Sequence, residues 1–392
     1  MYEYKEKKMK TGIRNIYMDI LKIISMFMVV LLHATNFGIQ NIKIEIGSIN
    51  YFIVWIIRIF SMVAVNCFVL ISGYFLCQKK ENKENILKKI IRLWVQTEMY
   101  SIGLYLLLCF IPQNGVRFSI KTCIKQSFPI LTYEYWFIVM YILLLLISPL
   151  LNIIINNIKQ EEYKTLIKLA LFVFSIIPSI NVFGDEFGTN SGYSLIWFVV
   201  LYFIGAYLKI YGLKKRKYLK WYCSICIGLF IIKYICDMVG LKKSFVKAIP
   251  NLLIKYNSIF IIIASICLFC GMVGSTIKVG DKIEKQIIIL SQASLGVYLL
   301  HENREFRMLL WNRIVNLKRF SEMPILFGGY IIVSAVVIFF IGIVCEMSRK
   351  SLMDLLKKRV KKNLSTVKFS FAKKVYGRKL KKMGMRFFDE SK

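Results

Sequence analysis

The chain contains two histidines, His33 and His301, and each lies in or at the end of an apolar segment. Histidine can accept and return a proton near neutral pH, which suits it to general acid–base catalysis. Glu302 directly follows His301 and adds a carboxylate. An ionisable group within an apolar segment is costly and faces a cavity or a polar partner. The two histidines are therefore either catalytic or, as the alternative, simply hydrogen-bonded near a membrane surface.

The segment that carries His33 reads DILKIISMFMVVLLH and begins at Asp19. A carboxylate and Lys22 stand at its beginning, and the histidine comes at its end. In a helix with a rise of 1.5 Å per residue, His33 lies about 21 Å beyond Asp19 along the axis. The spacing therefore predicts charged groups near one membrane surface and a proton-handling group toward the other.

Basic residues gather around the beginnings of the first and third apolar segments. Arg14 and Lys22 belong to the first group, and Lys89 and Arg92 to the second. Lysine and arginine are phosphate-binding side chains. These four residues predict a docking place for a phosphate-rich cofactor, with membrane-anchoring charge as the alternative.

Further polar and aromatic residues lie within or at the edges of apolar segments. Arg58 and Glu98 are candidates for binding a substrate, because charged groups at such depth commonly line a cavity. Tyr135 and Trp136 lie at a predicted membrane edge, where they could stack on a sugar. Aromatic residues are also enriched at membrane interfaces without any such role, and we favour that interpretation.

The elements that must position these residues are membrane helices. Of the 392 residues, 57% are hydrophobic, and they are concentrated in runs of about the length that crosses a bilayer. The sequence predicts an all-α, polytopic membrane bundle of about ten transmembrane helices. The ten apolar segments are 16–38, 51–77, 93–112, 135–155, 165–182, 193–211, 219–239, 256–275, 286–301 and 324–347.

The net charge of +33 reflects basic residues that lie mainly between and after the apolar segments. This placement argues against nucleic acid as a partner and for the positive-inside rule. With both termini cytoplasmic, 39 of the 55 basic residues fall on the cytoplasmic side and 13 on the outside. The outer stretch 302–323 fits poorly, because it carries five basic residues, and its MLLW sequence predicts a helix lying along the membrane.

We expect a membrane domain over 1–347 and a basic cytoplasmic tail over 348–392. The tail mixes lysine and arginine with apolar residues, which favours contact with anionic lipid. Two C-x-x-C pairs, Cys223/Cys226 and Cys267/Cys270, have no histidine nearby, so we expect neither a metal site nor a disulfide framework.

Five motifs occur in an order that resembles the integral-membrane acyltransferase 3 family, which includes polysaccharide and lipopolysaccharide O-acetyltransferases. The first is Asp19, Lys22, ten further residues and His33. The others are FVLISGYFL at 68–76, Lys89-Ile-Ile-Arg92, YWFIVMYILLLLISPLL at 135–151 and LGVYLLHEN at 295–303. Lysine stands at Lys22 and Lys89 where the family has arginine, which keeps the charge but not the bidentate geometry.

The resemblance implies transfer of an acyl group, usually acetyl from acetyl-CoA, across the membrane to an extracytoplasmic hydroxyl. The basic residues would hold the phosphates of coenzyme A, and His33 would be the general base or would briefly carry the acyl group. His301 and Glu302 would orient the acceptor or assist proton transfer. A cell-surface glycan is the expected acceptor, and the multi-pass cell membrane is the expected location.

Two other functional classes stay open at this point. The same cavity would serve an exporter of a glycan or an acyl metabolite without any acyl transfer. It would also serve a sensor of pH or of a ligand.

Overall fold

The computed structural model describes residues 15–78, 83–111, 115–181, 187–212, 216–240, 246, 249–275 and 279–382, with side chains described up to residue 359. Within these ranges the chain is helical and has no strand. Arg14 lies outside the described residues, so its predicted role in phosphate binding stays a prediction.

The first half of the described chain forms eight α-helices. They are α1 Ile16–Phe37, α2 Ile49–Ser61, α3 Ala64–Leu76, α4 Lys83–Cys109, α5 Ile120–Ser127, α6 Trp136–Asn157, α7 Gln160–Leu171 and α8 Ile177–Ile180, with a π-helical turn at Phe172–Ile176 between the last two. A 3₁₀ turn at Asn190–Gly192 follows.

The second half forms seven more α-helices. They are α9 Leu195–Tyr211, α10 Tyr218–Gly240, α11 Ile249–Leu253, α12 Ile259–Val273, α13 Asp281–Glu302, α14 Arg304–Leu309 and α15 Pro324–Lys382. A π-helical turn at Leu310–Ile314 and a 3₁₀ turn at Leu317–Phe320 lie between α14 and α15. The predicted helix in 302–323 is thus a short helix followed by a π-helical turn and a 3₁₀ turn, and Leu310 and Trp311 in the π-helical turn are buried.

Six described helical stretches are long and apolar enough to cross a bilayer. They are Ile16–Phe37, Ile49–Leu76, Trp136–Asn157, Gln160–Ile180, Tyr218–Gly240 and Pro324–Arg359. Two shorter apolar helices, Leu195–Tyr211 and Ile259–Val273, fall below that length. The remaining predicted segments, 93–112 and 286–301, lie within the more polar helices α4 and α13. An all-α membrane protein is therefore confirmed, whereas ten crossings and cytoplasmic termini stay predictions.

The closest helix crossing in the bundle joins α3 to α9. A Cβ atom on Gly73 would lie 2.3 Å from the carbonyl oxygen of Tyr202, and one on Gly205 would lie 2.3 Å from that of Leu70. Only glycine allows the two backbones to approach so closely. The Ser-Gly-Tyr motif therefore serves helix packing, and this crossing forms part of the main buried apolar cluster.

The histidine-bearing helix α1 lies inside the bundle, where it packs against α2, α3, α12 and α13. Its first turn is capped by Asn15, whose side-chain oxygen accepts a hydrogen bond from the backbone N–H of Tyr17 at 3.1 Å. Helix α1 packs most extensively against α13, the helix that ends in His301 and Glu302.

A buried ion pair joins Lys233 to Asp237 within α10, as their i,i+4 spacing predicts. The hydroxyl of Tyr51 on α2 donates to the same carboxylate at 2.6 Å. The ammonium of Lys233 also lies 4.0 Å from the centre of the Trp55 ring. This cluster connects α10 to α2. The charges of Lys233 and Asp237 are both paired within it, so the pair needs no further function.

The described chain divides into two compact units, Met1–Ile343 and Val344–Lys392. All the site residues discussed below belong to the first. Within the second, Glu346 accepts hydrogen bonds from the guanidinium of Arg349, at 2.6 and 2.9 Å. The predicted domain boundary after residue 347 stays a prediction.

Candidate active site

The helices α1 and α13 touch at two points that are far apart along both axes. The hydroxyl of Ser291 donates to Asp19 Oδ1 at 2.6 Å. His33 Nδ1 lies 3.1 Å from Glu302 Oε2. Because both contacts advance in the same direction along the sequence, the two helices run parallel. We call the two places the Asp19 end and the His33 end.

At the His33 end, one carboxylate lies between an imidazole and a guanidinium. Glu302 Oε2 faces His33, and Glu302 Oε1 accepts a hydrogen bond from Arg307 Nη1 at 2.8 Å. Glu302 is 5% exposed. The arginine keeps this buried carboxylate paired, and the carboxylate in turn faces one nitrogen of the His33 ring. A carboxylate placed beside an imidazole in this way can orient a histidine base.

The second histidine lies beside the first, with 4.8 Å between the ring centres of His33 and His301. This agrees with the expectation that both lie at one depth. His301 Nδ1 is directed at the carbonyl oxygen of Val297, which only accepts, so Nδ1 carries the proton. The Nε2 atom of His301 is therefore left with its lone pair, inside a fully buried side chain.

The corner between α13 and α14 positions these groups. The side-chain oxygen of Asn303 caps α14 by accepting from the backbone N–H of Phe306 at 3.1 Å, and its amide donates to the Tyr135 hydroxyl at 3.2 Å. That hydroxyl donates in turn to the carbonyl of Leu299 at 3.1 Å. The chain is thus turned so that Arg307 reaches back to Glu302.

Several buried polar atoms at the His33 end have no hydrogen-bond partner within the described part of the chain. They are His33 Nδ1, His301 Nε2, Glu302 Oε2, Arg307 Nε, Tyr298 Oη and Trp311 Nε1. The contact between His33 and Glu302 is short enough for a hydrogen bond but is not aligned as one. A buried polar atom without a partner costs about 1–3 kcal/mol, so a concentration of them marks a site built for a ligand or for chemistry.

An aromatic wall stands close to this end. The rings of Trp136 and Tyr193 have centres 4.5 Å apart, and Tyr256 lies 5.1 Å from Tyr193. Tyr193 is 37% exposed, so part of its ring remains accessible.

The loop before Tyr193 is held in an unusual backbone conformation. Asn190, Ser191 and Gly192 all have positive φ angles, of 44°, 56° and 92°. The amide of Asn257 donates to the Thr189 hydroxyl at 2.9 Å and anchors this loop against the chain before α12. Sustained strain of this kind persists only where surrounding contacts impose it.

Three of the predicted substrate-binding residues, Arg58, Tyr135 and Trp136, lie near this end of the bundle, whereas no contact places Glu98 there within the described residues. Arg58 donates to the side chain of Asn36, three residues after His33, and its guanidinium lies 4.7 Å from the centre of the Trp55 ring. Tyr135 is fully buried and bonds to Leu299 and Asn303, whereas Trp136 is half-buried in the aromatic wall. Glu98 is half-buried on α4, and no hydrogen bond links it to His33 within the described residues.

The Asp19 end has a different chemistry. Lys22 Nζ lies 3.8 Å from the buried carboxylate of Asp19, and its side chain is 34% exposed. On α4, Lys89 is half-buried and Arg92 is exposed. Helices α1 and α4 both pack against α13.

Comparison with known proteins identifies the chain at the level of a family. The sequence model of the acyltransferase 3 family, described as an acyltransferase domain, matches residues 15–345. The chain belongs to this acyltransferase family. A search of curated proteins and a search of solved structures each found no match.

Membership of the acyltransferase family makes the protein a membrane acyltransferase and covers both ends of the α1–α13 pair. Lys22, Lys89 and Arg92 carry positive charges whose chemistry fits phosphate groups. No group of three or more His, Cys, Asp or Glu side chains in the described ranges could hold a metal ion.

Sequence reasoning did not single out Arg307, Ser291 or Tyr193. Arg307 was one of the five basic residues that disagreed with the positive-inside rule, and that disagreement was the available signal. Tyr193 follows a turn-rich, acidic loop, and nothing in the sequence indicates that this loop is anchored beside Trp136. A single serine within a helix, such as Ser291, gives no signal at all.

Proposed function

We propose that this acyltransferase moves an acetyl group from cytoplasmic acetyl-CoA to a hydroxyl of an extracytoplasmic cell-surface glycan, as a multi-pass protein of the cell membrane. The observation that carries the proposal is the 3.1 Å approach of His33 Nδ1 to Glu302 Oε2, with Arg307 on the other carboxylate oxygen. Proton-handling groups of this kind are needed to activate a hydroxyl.

His33 is the central catalytic residue of the proposal. With its Nδ1 proton directed at Glu302, the Nε2 atom has a lone pair that can take the proton of the acceptor hydroxyl. The hydroxyl oxygen then bonds to the acyl carbon while the carbon–sulfur bond breaks, and His33 returns the proton to the sulfur. In a second route, the same Nε2 atom carries the acyl group between donor and acceptor. The geometry supports both routes.

His301 and Glu302 assist that step in different ways. Glu302 holds the His33 ring and stabilises the positive charge that the ring acquires. His301 places a second lone pair beside the first, since its Nδ1 proton is used on Val297. That lone pair can accept a hydrogen bond from a neighbouring hydroxyl of the glycan and so orient the acceptor.

The donor side of the proposal rests on Lys22, Lys89 and Arg92, with Arg14 as a fourth cation predicted from the sequence. Acetyl-CoA supplies a thioester, whose acyl carbon is open to attack by a hydroxyl. The cations hold its phosphates near the Asp19 end, about 20 Å from His33 by helix rise.

The acceptor side rests on the residues around the His33 end. The half-exposed Trp136 is suited to stacking on a sugar ring, and Arg58 and Glu98 offer hydrogen bonds to hydroxyls. Tyr135 is buried with its hydroxyl already bonded to Leu299, so within this proposal it positions α13 and does not touch the sugar.

We further propose that the basic tail 348–392 contacts anionic lipid of the inner leaflet. It carries 16 basic residues, and each one near such a surface adds about 1 kcal/mol at most. A chain ending at residue 347 should lose stimulation by anionic lipid and keep its activity in neutral nanodiscs. Equal stimulation of both chains would contradict this role.

The decisive experiment compares surface glycans by NMR in parent cells, cells lacking the protein, and cells carrying His33→Ala. Loss of O-acetyl signals in the last two, at unchanged glycan abundance, supports the enzyme. Unchanged acetylation together with lost surface glycan supports an exporter instead. Membrane levels of His33→Ala, measured by immunoblot, show that the variant is present.

The donor site has its own test in purified protein. Lys22→Gln combined with Lys89→Gln should raise the KM for acetyl-CoA about tenfold, since two phosphate contacts are lost. A matched Lys168→Gln variant removes an exposed lysine elsewhere and should leave that KM unchanged. An unchanged KM in the double variant would place the donor elsewhere.

A further inference from the structure

Five basic side chains gather at the edge of the His33 end. Arg117, Lys121 and Lys125 belong to the segment that contains α5, and Arg304 and Arg313 to α14 and the π-helical turn after it. We call these five residues the basic rim. They come from two parts of the chain nearly two hundred residues apart, so their meeting is a property of the fold.

Specific contacts bring the two parts together. Lys125 Nζ lies 2.5 Å from Glu134 Oε1, and Arg304 Nη1 lies 4.0 Å from the same oxygen. A Cβ atom on Gly115 would lie 3.7 Å from Arg313 Nη2, which places the beginning of the α5 segment beside the π-helical turn. The α5 segment is held on α4 by the Tyr105 hydroxyl, which accepts from the backbone N–H of Ser119 at 2.7 Å.

The basic rim keeps an excess of positive charge that remains accessible. The side chain of Glu134 is almost fully buried, and its one negative charge is shared between Lys125 and Arg304. Arg117, Lys121 and Arg313 are exposed. Within the described residues no acidic side chain forms an ion pair with Arg117 or Lys121, so their field extends into solvent.

The basic rim is continuous with the candidate active site. Arg304 comes two residues after Glu302, and Glu134 immediately precedes Tyr135, which bonds to the end of α13. In the favoured topology this edge faces outward, where the positive-inside rule disfavours a concentration of basic residues. Basic residues that are concentrated there in spite of this rule indicate a binding role at that position.

We propose that the basic rim binds the acceptor, and that the acceptor is an anionic glycan bearing carboxylate or phosphate groups. The inference rests on the proposed function and narrows its acceptor class. Negative groups along the polymer are attracted to the basic rim and guide a neighbouring hydroxyl to His33. Charge complementarity of this kind selects between partners and speeds their encounter.

A glycan fits the basic rim better than a lipid headgroup does. The exposed apolar residues Ile120 and Ile124 lie one turn apart on one stripe of α5, which is the side suited to lipid. Lys121 and Lys125 lie on the next stripe. Lys125 is directed at Glu134 and therefore toward the bundle, as is Arg304 from the other side.

The test uses the full-length protein in nanodiscs and two matched probes, an oligogalacturonate and its neutral methyl ester. The variant combines Arg117→Gln, Lys121→Gln and Arg313→Gln, which leaves the pairs around the buried Glu134 intact. The matched control combines Lys168→Gln, Lys220→Gln and Lys282→Gln, three exposed lysines away from the basic rim. Binding is measured by thermophoresis without acyl donor, at low and high salt.

We expect the wild-type protein to bind the charged probe about tenfold more tightly than the ester at low salt, with the preference reduced at high salt. The rim variant should lose the preference, and the control should keep it. Equal binding of both probes by the wild-type protein, or an unchanged preference in the rim variant, overturns the proposal. So does a rim variant that keeps the probe preference but loses binding to vesicles containing phosphatidylglycerol, because the basic rim then serves lipid.

Acyl transfer to the two probes is measured separately, which distinguishes this proposal from the proposed function. A preference in binding without transfer to any glycan contradicts the proposed function and leaves the basic rim as an anion-binding surface. Transfer to both probes with the same KM supports the enzyme and overturns the acceptor class proposed here.

Discussion

The two ends of the α1–α13 pair hold buried carboxylates in opposite ways. At the Asp19 end, Asp19 accepts from the Ser291 hydroxyl at 2.6 Å and has Lys22 nearby. At the His33 end, Glu302 keeps one oxygen on Arg307, while its other oxygen faces His33 without an aligned hydrogen bond. The first end is satisfied as it stands, whereas the second leaves capacity for a bound molecule.

This difference shows which contact serves the fold and which serves the reaction. Polar atoms that are satisfied within the protein contribute to helix register. Polar atoms that are buried and left without partners reduce stability, and proteins retain them where function needs them. Three variants at the two ends, and one outside both, should therefore separate activity from stability.

The largest effect is expected for Glu302→Gln. The amide keeps the size of the side chain but loses the charge that orients His33 and stabilises its protonated form. We expect kcat for acyl transfer to fall about 100-fold with little change in KM. The neighbouring variant Glu305→Gln is the control, and a kcat for Glu302→Gln within twofold of the wild-type value would mean that Glu302 does not support His33.

A smaller loss is expected for Arg307→Lys. Lysine keeps the positive charge but cannot reproduce the planar guanidinium that donates to Glu302 Oε1 and lies 4.3 Å from the centre of the Phe37 ring. We expect kcat to fall about tenfold, measured beside the exposed control Arg319→Lys. Equal activity of the two variants would show that only the charge of Arg307 matters.

A third variant lies outside both ends and should change the position of α13 itself. A Cβ atom on Gly342 of α15 would lie 2.6 Å from the Cα atom of Val297, whose carbonyl accepts from His301. Gly342→Ala should therefore shift α13, lower stability by about 1–3 kcal/mol and reduce activity.

The control for Gly342→Ala lies on the same helix. Gly329 has no heavy atom within 4 Å of its added Cβ atom, so Gly329→Ala should change thermal stability in detergent very little. Identical melting temperatures for the two variants would argue against the close approach of α15 to α13.

The smallest effect on activity is expected at the Asp19 end. Ser291→Ala removes the hydroxyl that donates to Asp19, which should cost about 1 kcal/mol of stability and change kcat within about threefold. Ser294→Ala, whose hydroxyl bonds to its own helix, is the matched control. A loss of kcat as large as that of Glu302→Gln would falsify the division between a structural end and a chemical end.

Much of this arrangement was predictable from the sequence because it depends on helix length and on rare residue types. Runs of apolar residues predict membrane helices, and helices of known rise place His33 and His301 at one depth. The i,i+4 spacing of Lys233 and Asp237 likewise predicts their ion pair. The ion pair between Lys233 and Asp237 follows from the local geometry of the helix alone.

The rest depends on which helices become neighbours. Nothing in the local sequence states that Ser291 lies opposite Asp19, or that Tyr193 lies against Trp136. Packing also determines the break between α2 and α3. It likewise determines that 302–323 forms a short helix and two turns instead of one continuous helix. Arg307 illustrates the limit best, because a charge count treats it as an exception while its contact with Glu302 explains its position.

The parallel pairing of α1 with α13 has a consequence for biosynthesis. Helix α1 is synthesised about 270 residues before the end of α13, so His33 has no Glu302 to face until that stretch has been made. Incomplete chains therefore hold an unmatched imidazole in the membrane and lack the catalytic arrangement. Competence for acyl transfer appears only when the last part of the bundle closes on the first.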